Sequence, residues 1–192
     1  MARPYEFNRQ ETLSKAMDVF WEKGYKATTV QDLVDRMGIK RGSIYNTFGD
    51  KHSLFISAIK HYGEMVTSQT IKILCSPGLP IENIKRFFYE IINKSLNRKS
   101  RGCLISNTIV ELAPHDKEAA REVKKLLNKI EKAFFNCLNK AVELGELPAG
   151  TDTKVISRFF ATSTHGLIVI GKSDVSRKQM KDIVKVILSI LK

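Results

Sequence analysis

Apolar residues recur along this chain three or four positions apart, the spacing that lines one face of an α-helix. Leu13, Ala16, Met17 and Phe20 form the first such stripe, in a helix over about 8–23 that Gly24 ends. A short second helix covers about 29–37, with Thr28 or Thr29 as its N-cap and Asp32 in its first turn. Gly38 makes a turn, and a further helix runs through Phe48. Leu33, Met37, Ile39, Ile44 and Phe48 supply the apolar contacts that hold these two short helices at an angle. Asp50 caps the next helix, whose stripe of Leu54, Phe55, Ala58, Ile59 and Tyr62 leads on to about residue 74.

Beyond the Ser-Pro-Gly-Leu-Pro break at 76–80, a helix over 81–96 carries Ile84, Phe87, Phe88, Ile91 and Ile92. A short, largely apolar helix at 103–114 ends at Pro114. A long helix over 116–144 follows, striped by Val123, Leu126, Leu127, Ile130, Phe134, Leu138 and Val142. After the break at 145–150, two helices at 153–171 and 176–191 close the chain. Their apolar stripes are wide, so each needs a partner on more than one side. Period-two alternation is absent. The pattern therefore predicts an all-α protein of about nine helices: an N-terminal three-helix helix-turn-helix domain, 1–50, and a C-terminal helical domain, 51–192.

The short helix after Gly38 leaves Lys40, Arg41, Ser43, Tyr45, Asn46 and Thr47 off its apolar face. These donors, acceptors and one aromatic suit gripping phosphates and reading base edges. Two short helices joined at a glycine also occur in proteins that never touch DNA. Charge bears on the choice. The 192 residues carry a formal net charge of +12, which favours nucleic acid or anionic surfaces. Only +2 of it lies in residues 1–52; the remaining +10 lies in 53–192. Most of the charge thus lies outside the helix-turn-helix, on solvated helix faces, and adds long-range attraction rather than recognition. Arg3 and Arg9, on a short N-terminal arm, are further candidates for phosphate or the minor groove.

Cys75, Cys103 and Cys137 are too few and too scattered for a disulfide framework, and no metal-ligand spacing is present. No cofactor and no metal are expected. The N-terminus lacks a signal peptide's apolar segment, and no apolar run reaches the roughly 18 residues of a membrane span, so a cytoplasmic protein without a membrane partner is expected. An enzyme built on Cys103 with His115, or on His165 with Glu111, finds no supporting motif. A nucleoid-type DNA binder of no sequence preference remains a rival.

Two stretches, Gly-Tyr-Lys-Ala-Thr-Thr-Val-Gln-Asp-Leu at 24–33 and Gly-Ile-Lys-Arg-Gly-Ser-Ile-Tyr-Asn-Thr-Phe-Gly-Asp-Lys-His-Ser-Leu-Phe at 38–55, resemble the DNA-binding domain of the TetR/AcrR family of bacterial transcriptional regulators. The start, Met-Ala-Arg-Pro, and residues 16–21 fit the same pattern, and Val34 departs from it where the family has Ala. The segment at 102–114 (Gly-Cys-Leu-x-x-Asn-Thr-x-x-Glu-Leu-Ala-Pro) is similar to a recurring subgroup of the same family. The resemblance implies Arg41 and Asn46 as base readers, with Lys40, Ser43 and Thr47 as further candidates. It implies Gly42 as the point of close backbone approach, and Thr29, Tyr45 and Lys51 as phosphate contacts. It also implies double-stranded DNA with a palindromic operator as partner, a homodimer through the last two helices, and repression released by a small-molecule effector of unknown identity. Dimerisation has a separate physical argument: a single helix-turn-helix of about 20 residues touches too few bases for useful specificity, whereas two on a two-fold axis read both halves of a palindrome.

Effector-site candidates are less defined. Phe87, Phe88, Phe134 and Phe159 are either core or pocket lining. Asn107 and His165, polar residues in apolar segments, are either satisfied buried groups or ligand anchors. Cys103 follows Gly102 at a helix start with Lys99 and Arg101 nearby, features that favour a reactive thiolate. It is therefore either a sensor of oxidants or alkylating agents or a small buried apolar residue.

Overall fold

In the computed structural model, which describes residues 7–97 and 101–191, nine α-helices and a closing 3-10 turn follow one another, and there is no strand among the described residues. Arg3 and Lys99 lie outside the described residues. The helices are α1 (Arg9–Lys23), α2 (Val30–Met37), α3 (Arg41–Phe48), α4 (Lys51–Leu74), α5 (Pro80–Ser95), α6 (Leu104–Glu111), α7 (Lys117–Glu143), α8 (Thr153–Ile170) and α9 (Arg177–Leu188). Their ends carry the caps that the sequence encodes. Asn8 accepts from the backbone N–H groups of Gln10 and Glu11 to start α1, Asp152 from Val155 to start α8, and Ser176 with Gln179 forms a capping box on α9.

Packing divides the chain into two compact units. One comprises residues up to Met65 together with Leu104–Lys124, and the other comprises Val66–Cys103 and residues from Lys125 onward. This differs from a division at residue 50, and the reason is the apolar face of α4. Leu54, Phe55, Ala58, Ile59 and Tyr62 are all buried, and their rings mesh with α1: Phe20 lies 4.9 Å from Phe55 and Trp21 lies 4.8 Å from Tyr62, both edge-on. Leu13, Ala16, Met17, Leu33, Met37, Ile44 and Phe48 complete the first core. Val34 is accommodated in α2, whose last turn still closes with the Gly38 N–H on the Val34 carbonyl at 3.0 Å.

The second unit is built around four phenylalanines. Phe87 and Phe88 of α5, Phe134 of α7 and Phe160 of α8 pack ring on ring at centroid distances of 5.1–5.9 Å, mostly edge-on. Ile84, Ile92, Ile130, Leu138, Met180 and Val184 surround them. Phe88 and Phe134 are fully buried, so both are structural centres of this core. Phe159, the neighbour of Phe160, instead points outward and is 42% exposed. Truncating Phe134 to Ala opens a void where three other rings meet, and should cost about 3–5 kcal/mol in the stability measured by urea unfolding.

Candidate nucleic-acid interface

Helix α3 has eight residues, and its N-cap residue, Lys40, makes no side-chain capping hydrogen bond. A helix this short does not persist in water by itself. It is held because Ile44 and Phe48 are buried, which turns Lys40, Arg41, Gly42, Tyr45 and Asn46 to solvent and leaves Ser43 and Thr47 half-covered. The face read from sequence as the recognition surface is thus the exposed face. Arg41 donates to the Tyr45 hydroxyl at 3.3 Å with its guanidinium 5.6 Å from the ring centre, so the two side chains rest on each other. A methyl group at Gly42 would meet no atom within 4 Å, so nothing inside the protein requires glycine at that position. Arg9, from the start of α1, lies over the Phe48 ring at 5.3 Å.

The preceding helix is fixed in pitch by its start. Thr29 accepts from the Asp32 N–H at 3.1 Å, while Asp32 accepts from the Thr29 N–H at 2.9 Å and from the Lys23 ammonium at 2.6 Å. The Lys23 hydrogen bond, followed by the Thr29 N–H, draws the Asp32 carboxyl down to about 2. Gly38, at φ +70°, then turns the chain from α2 into α3. Asp50 caps α4 as its position in the sequence implies, accepting from the Ser53 N–H at 2.7 Å.

Lys51 has an internal role that sequence does not reveal. Its ammonium donates to the Thr28 carbonyl at 2.6 Å and sits 4.5 Å from the centre of the Tyr25 ring, tying the start of α4 to the loop ahead of α2. A second tie comes from α6. The Glu111 carboxylate accepts from the backbone N–H groups of Tyr25 at 3.0 Å and Lys26 at 2.7 Å. Gly24 is required at this approach: φ is +80°, and a methyl group would stand 2.8 Å from a Glu111 oxygen. A third contact joins His52 to Asp116 at 2.6 Å; Asp116 is itself held below the usual carboxylate range, chiefly by the Ala119 N–H. Glu111 was visible in sequence as one position of the 102–114 motif and as a candidate partner of His165, and nothing nearby in the chain announces a partner some eighty residues away.

The effector-site candidates are dispersed. Asn107 is half-exposed on α6 in the first unit. His165 lies on α8 in the second, where burial holds its imidazole below the ordinary value. Cys103 is buried, at 3% exposure, and Cys137 is buried with its thiol pushed up to about 12 by desolvation, whereas Cys75 is exposed. No cluster of three metal-ligating side chains exists among the described residues, and no helix among them is long and apolar enough to cross a membrane.

Helices α1–α3, with the polar face of the short α3 turned to solvent and further helices following in the chain, have the arrangement of a helix-turn-helix regulator. The chain belongs to the TetR family of bacterial transcriptional regulators. Residues 13–58 match the model of the bacterial regulatory proteins of the tetR family, and residues 80–187 match the tetracyclin repressor-like C-terminal domain. It is 36% identical to an uncharacterized HTH-type transcriptional regulator, YezE, of Bacillus subtilis, over the full length of both chains. It is 25% identical to the HTH-type transcriptional repressor ComR of Escherichia coli, covering 94% of this chain and 87% of that one. Among solved structures it superposes with a TM-score of 0.86, at 26% identity and over 98% of each chain, on a cysteine mutant of the TetR family regulator CifR complexed with 26-bp double-strand operator DNA.

Two outcomes follow from these geometries. Glu111→Ala leaves two backbone donors without their acceptor and should lower stability by about 1–3 kcal/mol in urea unfolding, with Glu111→Gln losing less because one acceptor oxygen remains. Asp32, followed by carboxyl NMR, should titrate at about pH 2. Because its folded value is depressed, its contribution is complete above the unfolded value of 3.8 and is lost as pH falls through about 2. Lys23→Met should move the midpoint upward.

Proposed function

We propose that this protein is a sequence-specific transcriptional repressor that binds a palindromic operator as a homodimer and is released by a small-molecule effector. The observation that carries the reading is α3: two buried apolar anchors hold a helix whose outward face offers Lys40, Arg41, Tyr45 and Asn46. Arg41 is assigned to guanine and Asn46 to adenine, the pairings their bidentate geometry favours. Lys40, Ser43 and Thr47 are secondary base-edge candidates. Gly42 allows DNA backbone to approach α3 closely, since no atom of the protein occupies the space beside it. Thr29, Tyr45 and Lys51 are assigned to phosphates; for Lys51 this means sharing its charge with the Thr28 carbonyl. Relatives named as repressors, and CifR bound to its operator, support the same reading.

The dimer assignment rests on α8 and α9. Val155, Phe159 and Val169 of α8, Ile183 and Val186 of α9, and Ile190 of the closing 3-10 turn remain exposed, with Val186 at 71%. Their spacing of three, four and seven, with Gly166 in line on α8, makes an apolar face on each helix, as a self-complementary contact with a second copy requires. Repression with effector release is favoured over switching at Cys103, because the buried thiol is closed to direct attack.

Selection of bound sequences from a random duplex library tests the reading. The expected result is a two-fold symmetric consensus, preferred over other duplexes by a factor of about 10³ or more; enrichment without a consensus would instead identify a non-specific DNA binder. Asn46→Ala should cost about 1–3 kcal/mol at one consensus position and relax its preference, whereas Lys51→Ala should weaken all duplexes alike and flatten the salt dependence. Val186→Glu should give a monomer in sedimentation and remove the preference for the palindrome.

A further inference from the structure

Within the second unit, a cleft of about 390 Å³ opens between the last turns of α4 and the middle of α7, a volume within the range of small-molecule sites, roughly 300–1,000 Å³. Ile71, Cys75 and Ala133 give it apolar lining, and Thr67, Lys129, Lys132 and Asn136 line the rest. Thr67 is 8% exposed, and its hydroxyl has no hydrogen-bond partner among the described residues. Buried helical threonines ordinarily donate to the carbonyl four residues back. Thr12, Thr108 and Thr164 all do so here, each at 2.8 Å, and Thr67 does not. A buried hydroxyl left this way costs stability unless something entering the cleft bonds it.

The charged groups fit the same occupant. Lys129 and Lys132 form no ion pair among the described residues, although Lys15, Lys85 and Lys94 each pair along their own helices. Glu131, the acidic residue between them, is turned to Arg158 at 3.2 Å. The two lysines, one turn apart on α7, therefore line the cleft without an acidic partner among the described residues, beside an Asn136 amide that makes no hydrogen bond to them. Donors and positive charge beside an apolar lining call for a negative head on an apolar body.

We propose that this cleft is the effector site and takes a small carboxylate with an acyl or aryl tail. The carboxylate sits between Lys129 and Lys132, with Asn136 and the Thr67 hydroxyl donating to it, and the tail lies on Ile71 and Ala133. The inference rests on the reading of the chain as an effector-released regulator.

The test uses the full chain with octanoate, decanoate and benzoate, against octanol, octylammonium and inorganic phosphate, by calorimetry and by displacement of the selected palindromic duplex. The proposal expects one carboxylate per chain, binding at least about tenfold tighter than the matched alcohol, amine or phosphate. It also expects a loss of about tenfold in Thr67→Val and a larger loss in Lys129→Met/Lys132→Met, both of which keep their folded thermal transition. Carboxylate binding that these variants leave unchanged, equal binding of phosphate or octanol, or no carboxylate binding to a protein that still holds its palindrome would each overturn the assignment of the cleft while leaving the regulator intact. Binding that the variants weaken but that leaves the duplex bound would keep the anion site and overturn its role as effector site.

Discussion

A helix of eight residues such as α3 cannot hold itself together, and this constraint explains much of the first unit. Nucleating a helix costs more than one or two turns of hydrogen bonds return, so α3 exists only while Ile44 and Phe48 stay buried. The same burial sets which residues face outward. Its neighbours are correspondingly over-determined: a capping box and an ion pair fix α2, an Asp cap fixes the start of α4, and the loop between α1 and α2 is held by Lys51 from one side and by Glu111 from another. None of these polar contacts reads DNA in itself. Together they hold the elements on either side of α3, and on the proposed reading an interface organised before binding loses less entropy on binding.

The Glu111 contact gives the 102–114 motif a physical meaning. A carboxylate that accepts two adjacent backbone N–H groups at 2.7 and 3.0 Å needs close approach, which only a glycine at position 24 permits. Gly24 therefore has two duties: it ends α1, with its own N–H closing on the Phe20 carbonyl, and it clears space for Glu111. In this unit α6 is thus tied to the loop that sets α2. The second unit instead packs Phe87, Phe88, Phe134 and Phe160 into its core and leaves the Thr67 hydroxyl without a hydrogen-bond partner among the described residues.

The helical layout was legible because each helix carries a stripe of the right period and most carry a punctuating residue. Gly24, Gly38, Asp50 and Pro80 mark ends that periodicity alone leaves vague. The short segment at 103–114 was the least regular: α6 stops at Glu111, because the chain ahead of Pro114 cannot remain helical and instead turns through 112–115. The outward face of α3 could also be read, since Ile44 and Phe48 leave one side of so short a helix free. Contacts between residues distant in sequence could not be read. Lys51 has the composition and place of a phosphate ligand, and only the fold shows its bond to Thr28. Thr67 looks like any helical threonine until its missing back-bond is seen. The phenylalanines of the second unit were ambiguous in sequence because an aromatic at helical spacing serves core and pocket equally well; ring contacts on every side place Phe88 and Phe134 in the core.

The central claim is that two copies of α3, held at one separation by a dimer, read DNA together. Half-site spacing tests it most directly. Affinity is measured for the selected palindrome and for the same duplex lengthened at its centre by about five base pairs, half a helical turn, which rotates one half-site to the opposite face. The account predicts that the lengthened duplex falls toward non-specific affinity, a loss of about 10³-fold or more at physiological salt. Equal affinity for the two duplexes would contradict it, because each α3 would then be binding alone.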